Sequence, residues 1–170
     1  MIACFDVYYD QNSAYAAAIV FSDWADTLPD EHYELEIHDI GEYKPGSFYQ
    51  RELKPITELI DLIPAPIKYF VIDAYCHLSD SYDPGLGQYL FQKLPPESVV
   101  IGVAKNRFRA TTHAFELCRG GSKRPLFITS IGIDYRLAAD CIKSMAGDHR
   151  IPLLLKKVDN LSRAKRQKIN

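Results

Sequence analysis

The chain has 170 residues, a formal net charge of −2, 47% hydrophobic and 25% charged residues. Such composition is that of an ordinary globular protein, and the length suits one domain, 1–170, with a substantial core. It excludes a bilayer-spanning run of ~20 apolar residues and a basic, signal-like opening, and the near-neutral charge gives no global sign of nucleic-acid binding. The four cysteines, Cys4, Cys76, Cys118 and Cys141, form no CxxC pair, so neither a zinc site nor a disulfide framework is expected. A reducing cytoplasm fits this usage.

In chain order, Ile2 to Tyr9 is rich in β-formers and reads as a first strand carrying one acid, Asp6. Asp10-Gln-Asn-Ser13 has turn chemistry. Ala14 to Phe21 then completes a hairpin. Tyr33 to His38 alternates apolar and polar residues and predicts a third strand with one exposed face. Glu42 to Gly46 is a Pro-Gly loop. Leu53, Ile56, Leu59, Ile60 and Ile63 recur at helical spacing, predicting a helix over Phe48 to Ile63. Pro55 is expected near its start, where proline is tolerated.

Tyr69 to Ile72 is a short unbroken apolar run that ends in Asp73. Such a run suits a strand buried on both faces. A polar loop, Tyr75 to Pro84, and a short helix, Gly85 to Leu94, follow. Val99 to Ala104 is a second buried strand, with Lys105 at its end. Thr111 to Leu117 and Leu126 to Ile131 read as strands around a turn, Arg119 to Arg124, with three exposed bases. Arg136 to Met145 is a helix with Leu137, Ala138, Cys141, Ile142 and Met145 inward. Ile151 to Asn170 carries six basic residues against one acid, Asp159. It reads as a basic tail, either a frayed terminus or a phosphate-seeking arm. The order βββ, α, β, α, β, β, β, α predicts a mixed sheet with helices on its faces.

Three acids stand where elements begin or end: Asp6, Glu52 and Asp73. If the first and fourth strands are neighbours, Asp6 and Asp73 face each other, and Glu52 approaches from the helix flank. Clustered carboxylates repel unless protonated or neutralised by a cation. Oxygen donors of this kind suit Mg²⁺ or Mn²⁺, and such an ion activates water for attack on phosphorus. Singly, each acid also fits a structural role: a satisfied strand carboxylate, a first-turn acid or a cap.

The order and surroundings of these acids resemble the endonuclease V family, the deoxyinosine-directed endonucleases. Residues 2–9 resemble the family's opening strand with its Asp at Asp6. Tyr43-Lys-Pro-Gly-Ser-Phe-Tyr-Gln-Arg-Glu52 resembles its Pro-Tyr-Ile-Pro-Gly loop followed by an Arg-Glu pair. Phe70-Val-Ile-Asp73 resembles the strand ending in its second Asp, and Ile101-Gly-Val-Ala-Lys105 matches a family run. Ile128-Thr-Ser-Ile-Gly132 resembles a Val-Ser-x-Gly strand end. Arg150-Ile-Pro152 and Val158-Asp-Asn-Leu-Ser-Arg163 resemble its C-terminal elements.

The resemblance implies an α/β, ribonuclease H-like mixed sheet with helices on both faces. It implies a Mg²⁺-dependent endonuclease (Mn²⁺ as alternative) hydrolysing a phosphodiester near deoxyinosine, inosine or another altered base in DNA or RNA. By position, Asp6, Glu52 and Asp73 hold the metal, Asp159 assists, and Lys105 meets the phosphate. Tyr43, Pro45 and Gly46 form a strand-separating loop, and Ser130 joins the nucleic-acid surface. A monomer with no membrane partner is expected. The chain departs from the family pattern after Asp73, where Ala74-Tyr-Cys-His77 replaces Gly-x-Gly and no His-Pro-Arg follows. Glu42, Lys44 and Ile133 also differ. Close backbone approach to a base uses glycine, so Ala74 and Cys76 are expected to crowd the base pocket. The alternative expectation is a non-catalytic nucleic-acid-binding descendant.

Overall fold

The computed structural model describes residues 1–10, 13–38, 48–108 and 112–164. Tyr43, Pro45 and Gly46, and the last three bases of the expected tail, lie outside the described residues.

Among the described residues, seven strands form one sheet in the order β3-β2-β1-β4-β5-β7-β6. β1 (Ile2–Asp10) and β2 (Ser13–Phe21) make the expected hairpin, with Asp10 opposite Ser13. β3 (Glu31–His38) adds antiparallel to β2. The chain returns through α1 (Phe48–Ile60) to β4 (Tyr69–Ile72), which lies parallel to β1. α2 (Leu86–Phe91) then leads to β5 (Val99–Ala104), parallel to β4. β6 (Phe115–Leu117) and β7 (Leu126–Ile131) close the far edge antiparallel. α3 (Tyr135–Ser144) and α4 (Leu153–Ala164) complete the chain. This is the mixed α/β sheet of ribonuclease H-like type that the sequence predicts.

Side chains alternate across the strands, so each strand feeds two cores. Cys4, Ile19, Val71, Ile101 and Ile128 pack with Ala138 and Ile142 of α3 and Leu154 and Val158 of α4. Phe5, Phe70, Ile72 and Val100 pack with Ile56 and Leu59 of α1 and Leu86 and Leu90 of α2. Ala16 and Ala18 of β2 face the α1 side, while Ala17 faces the α4 side. Small side chains there let a helix approach on each face.

Four expectations change. The first concerns the segment read as a basic tail: residues 153–164 form α4, with Leu154, Val158 and Ser162 buried. Its apolar residues recur every three to four positions, and their burial outweighs the charge of the exposed face. Pro55 lies inside α1, well past its first turn. Leu137 is 57% exposed and Ala139 takes its inward place, because the buried stripe of α3 runs Ala138, Ala139, Ile142. Arg119 is no exposed turn base; its guanidinium donates to the carbonyls of His149 (2.7 Å), Met145 (2.6 Å) and Gly147 (2.9 Å), tying the β6–β7 turn to the segment after α3.

Candidate active site

The parallel pairing of β1 and β4 brings two acids together. Phe5 is opposite Ile72, so the next residues, Asp6 and Asp73, stand side by side at the carboxyl end of β4. α4 covers this end of the sheet. Its Ser162, 2% exposed, has one hydroxyl proton and two acceptors within reach, Asp6 Oδ2 and the Asp159 carbonyl (2.9 Å), which share it. Glu52 comes from α1, on the opposite face of the sheet. Asp6, Glu52 and Asp73 line one polar pocket together with Arg163.

The charges in this pocket are unevenly balanced. Asp73 receives Lys105 Nζ at 2.5 Å. Burial works against the Lys105 charge, but the hydrogen bond and charge of Asp73 outweigh it and raise the lysine's pKa. Asp159 is pushed up by burial but held below the usual carboxylate range by Lys156 (2.6 Å) and Arg163 (3.0 Å). Among the described residues Asp6 and Glu52 make no such ion pair; Lys105 acts on Asp6, and Arg51 on Glu52, only as more distant charges. Burial raises the pKa of Asp6 and the Ser162 hydrogen bond only partly offsets this, with Asp159 and Asp73 adding repulsion. Burial, then repulsion from Asp73 and Asp6, pushes Glu52 up to about 7.

An all-oxygen donor set with uncompensated negative charge fits a hard divalent cation. However, among the described residues no three His, Cys, Asp or Glu side chains are grouped closely enough to hold a metal ion. Lining one pocket is a looser condition than ligating one ion. The donor chemistry therefore fits the ion, while ligating geometry requires the carboxylates to draw closer. In the arrangement present, Lys105 is the cation on Asp73.

A cleft of about 620 Å³ opens beside the pocket. Glu52, Asp73 and Lys105 form its polar wall, and Tyr49, Tyr75 and Phe108 its aromatic wall. Tyr75 fixes the loop after β5: its hydroxyl donates to the Asn106 carbonyl (2.9 Å) and accepts from the Phe108 amide (3.1 Å). Arg150 donates to the Lys105 carbonyl and to that of Pro125 (2.8 Å).

The two residues expected to crowd a base pocket behave differently. Ala74 lines the cleft. Cys76 is fully buried among α2 and β5 residues, so its thiol points into the core. Its amide donates to Thr129 Oγ1 at 2.8 Å. Gly102 allows this loop to sit on β5, since a Cβ there would lie 2.4 Å from the Ala74 carbonyl oxygen. Ser130 also departs from expectation. It is 3% exposed, and its hydroxyl donates to the Ile133 carbonyl at 2.8 Å. That bond stabilises the turn after β7 and leaves the hydroxyl turned away from any surface ligand.

Sequence reasoning assigned no role to Ser162 or Arg163, although both lie three and four residues beyond Asp159 and hence on its helix face. Tyr9 was also passed over; only the fold brings it to α1.

No family model matches the sequence, and no curated protein matches it. The fold is nonetheless shared with solved structures. Endonuclease V of Ciona intestinalis, in complex with a 24mer DNA containing an inosine followed by a ribo-adenosine, matches with TM-score 0.82 and 18% identity, over 99% of this chain and 86% of the other. Endonuclease V of Streptomyces avermitilis matches with TM-score 0.75 and 22% identity, over 98% and 81%. Human ENDOV matches with TM-score 0.73 and 18% identity, over 98% and 84%. What this chain has in common with them, at such identities, is the endonuclease V fold.

Proposed function

We propose that this protein is a divalent-metal-dependent endonuclease of the endonuclease V type. It hydrolyses a phosphodiester near deoxyinosine, inosine or another altered base in DNA or RNA. The observation that carries the reading is the meeting of Asp6, Glu52 and Asp73 in one pocket of that fold, beside an aromatic-walled cleft.

Asp6, Glu52 and Asp73 would hold Mg²⁺ or Mn²⁺, which supplies charge stabilisation and water activation at phosphorus. The chain's own residues do the rest. Lys105, at the join of pocket and cleft, would offer its ammonium to the phosphate. Tyr49, Tyr75 and Phe108 offer ring faces to an unpaired base, and base–aromatic stacking contributes about 1–3 kcal/mol per base. Asp159 keeps Lys156 and Arg163 at the edge of the site.

The test is cleavage of a labelled oligonucleotide containing deoxyinosine, and of its ribo-inosine counterpart, with Mg²⁺. Cleavage that Asp73→Asn abolishes supports the reading. No cleavage of any substrate, or cleavage that Asp73→Asn leaves unchanged, overturns it. One observation favours a second reading, a non-catalytic nucleic-acid binder: Asp73 is already held by Lys105. Calorimetric titration with Mg²⁺ separates the two. Binding that Asp73→Asn removes favours the nuclease; no binding, with nucleic-acid affinity retained, favours the binder.

A further inference from the structure

α1 carries a proline in its interior, at position 55. Proline has no N–H, and its ring presses on the carbonyl four residues earlier. That carbonyl belongs to Arg51, so the bond that normally closes this turn is missing. A buried carbonyl without a donor is costly. Here the donor arrives from another element: the hydroxyl of Tyr9, on β1, donates to the Arg51 carbonyl at 3.0 Å. The same ring lies under the Arg51 guanidinium, 4.5 Å from centroid to Cζ. Burial, then the nearby Glu52 carboxylate, raises the Tyr9 pKa, so the phenol remains a donor.

The carbonyl of Arg51 and the amide of Glu52 share one peptide plane. We infer that Tyr9 is a positioning residue for Glu52: its hydroxyl takes the carbonyl that Pro55 leaves open and so fixes the peptide plane from which Glu52 projects toward Asp6 and Asp73. β1 thereby serves the pocket from both faces of the sheet. Asp6 reaches the α4 side, where Ser162 meets it, and Tyr9, an odd number of residues later, grips the helix on the other side. The functional weight of this tether rests on the nuclease reading above; the tether itself does not.

The experiment is a double-mutant cycle. Tyr9→Phe keeps the ring and removes the donor. Pro55→Ala restores an N–H that reaches the Arg51 carbonyl. Tyr9→Phe is expected to lower the melting temperature by about 2–6 °C and to move the ¹³C signals of the Arg51 carbonyl and the Glu52 carboxyl. In the Pro55→Ala background both effects shrink to less than about half, because the carbonyl then has its own helical donor. Cleavage of a deoxyinosine oligonucleotide by Tyr9→Phe falls about 10–100-fold in kcat, with KM within about twofold. An equal thermal loss in both backgrounds, or a Glu52 signal that stays still while the Arg51 carbonyl moves, overturns the assignment. If the wild-type protein cleaves nothing, the nuclease reading falls, and the thermal and NMR comparison still decides the role of Tyr9.

Discussion

The strand-borne acids and the helix-borne acid of the pocket are held by different means. Asp6 and Asp73 follow paired residues of two parallel strands, and each has a polar partner, Ser162 for one and Lys105 for the other. Glu52 stands on a helix whose hydrogen-bond ladder is broken by Pro55 and mended from outside by Tyr9. No cation offsets the burial of its carboxyl enough to keep it in the ordinary range. The sheet therefore fixes where two negative charges sit, while the third carries most of the electrostatic strain.

The largest expected effect tests whether the sheet-borne pair is the centre of the chemistry. Asp73→Asn should lower Mg²⁺-dependent cleavage by about 10³-fold or more, measured on a labelled deoxyinosine oligonucleotide, with the melting temperature little changed. Retained cleavage would move the centre away from β4.

The strain on Glu52 is tested by pH. In the metal-free protein its folded pKa is raised from 4.5 to about 7. Below about 4.5 the carboxyl is protonated in both states. Between the two values the unfolded chain has lost a proton that the folded chain keeps, so stability falls as pH rises through this window and levels off above it. The contribution lost is about 3 kcal/mol. Thermal unfolding from pH 4 to pH 8 should show this decline in the wild type and a shallower one in Glu52→Gln, where Asp6 still carries a raised pKa. An identical profile for both proteins would mean that Glu52 is no more strained than the strand-borne acids.

Lys105 separates a functional ion pair from a stabilising one. Both partners are more than a third exposed, and such pairs contribute about 0–1 kcal/mol to stability. Lys105→Met should thus cost little by thermal unfolding, yet slow cleavage about 10²-fold. A large thermal loss with unchanged cleavage would make the lysine structural.

The smallest effect concerns Ser162. Removing its bond to Asp6 in Ser162→Ala should destabilise the protein by about 1–2 kcal/mol, and by more at pH 8 than at pH 4, because the bond favours the ionised form of the Asp6 carboxyl. Chemical denaturation at the two pH values measures the difference; equal losses would show that Ser162 serves Asp159 and the helix rather than the charge on Asp6.

The central strands were legible because their signals are local. Tyr69 to Ile72 reads as buried from composition alone, and Asp73 reads as its end. The meeting of Asp6 and Asp73 was conditional on the first and fourth strands being neighbours, a condition that the sheet order supplies. α4 was not legible in the same way. Its basic residues dominate the sequence of 151–170, and its apolar stripe of Leu154, Val158 and Leu161 acquires meaning only against the inward face of β1 and β2. Cys76 was misjudged because it sits in the loop after β4, where side-chain direction follows from backbone geometry that no periodicity encodes. Ser130 is buried for another reason: it lies in β7, opposite Ile101 of β5.

By itself the sequence determined the strands, three of the helices, and which acids are available for a shared site, because burial and turn chemistry act over a few residues. The tertiary structure alone decided which of those acids carry a partner. Asp73 has Lys105, 32 residues away; Asp6 has Ser162, 156 residues away; and the peptide plane of Glu52 has Tyr9, bound across 42 residues through the Arg51 carbonyl. Such partnerships depend on strand order and helix docking, and no local pattern in the chain records them.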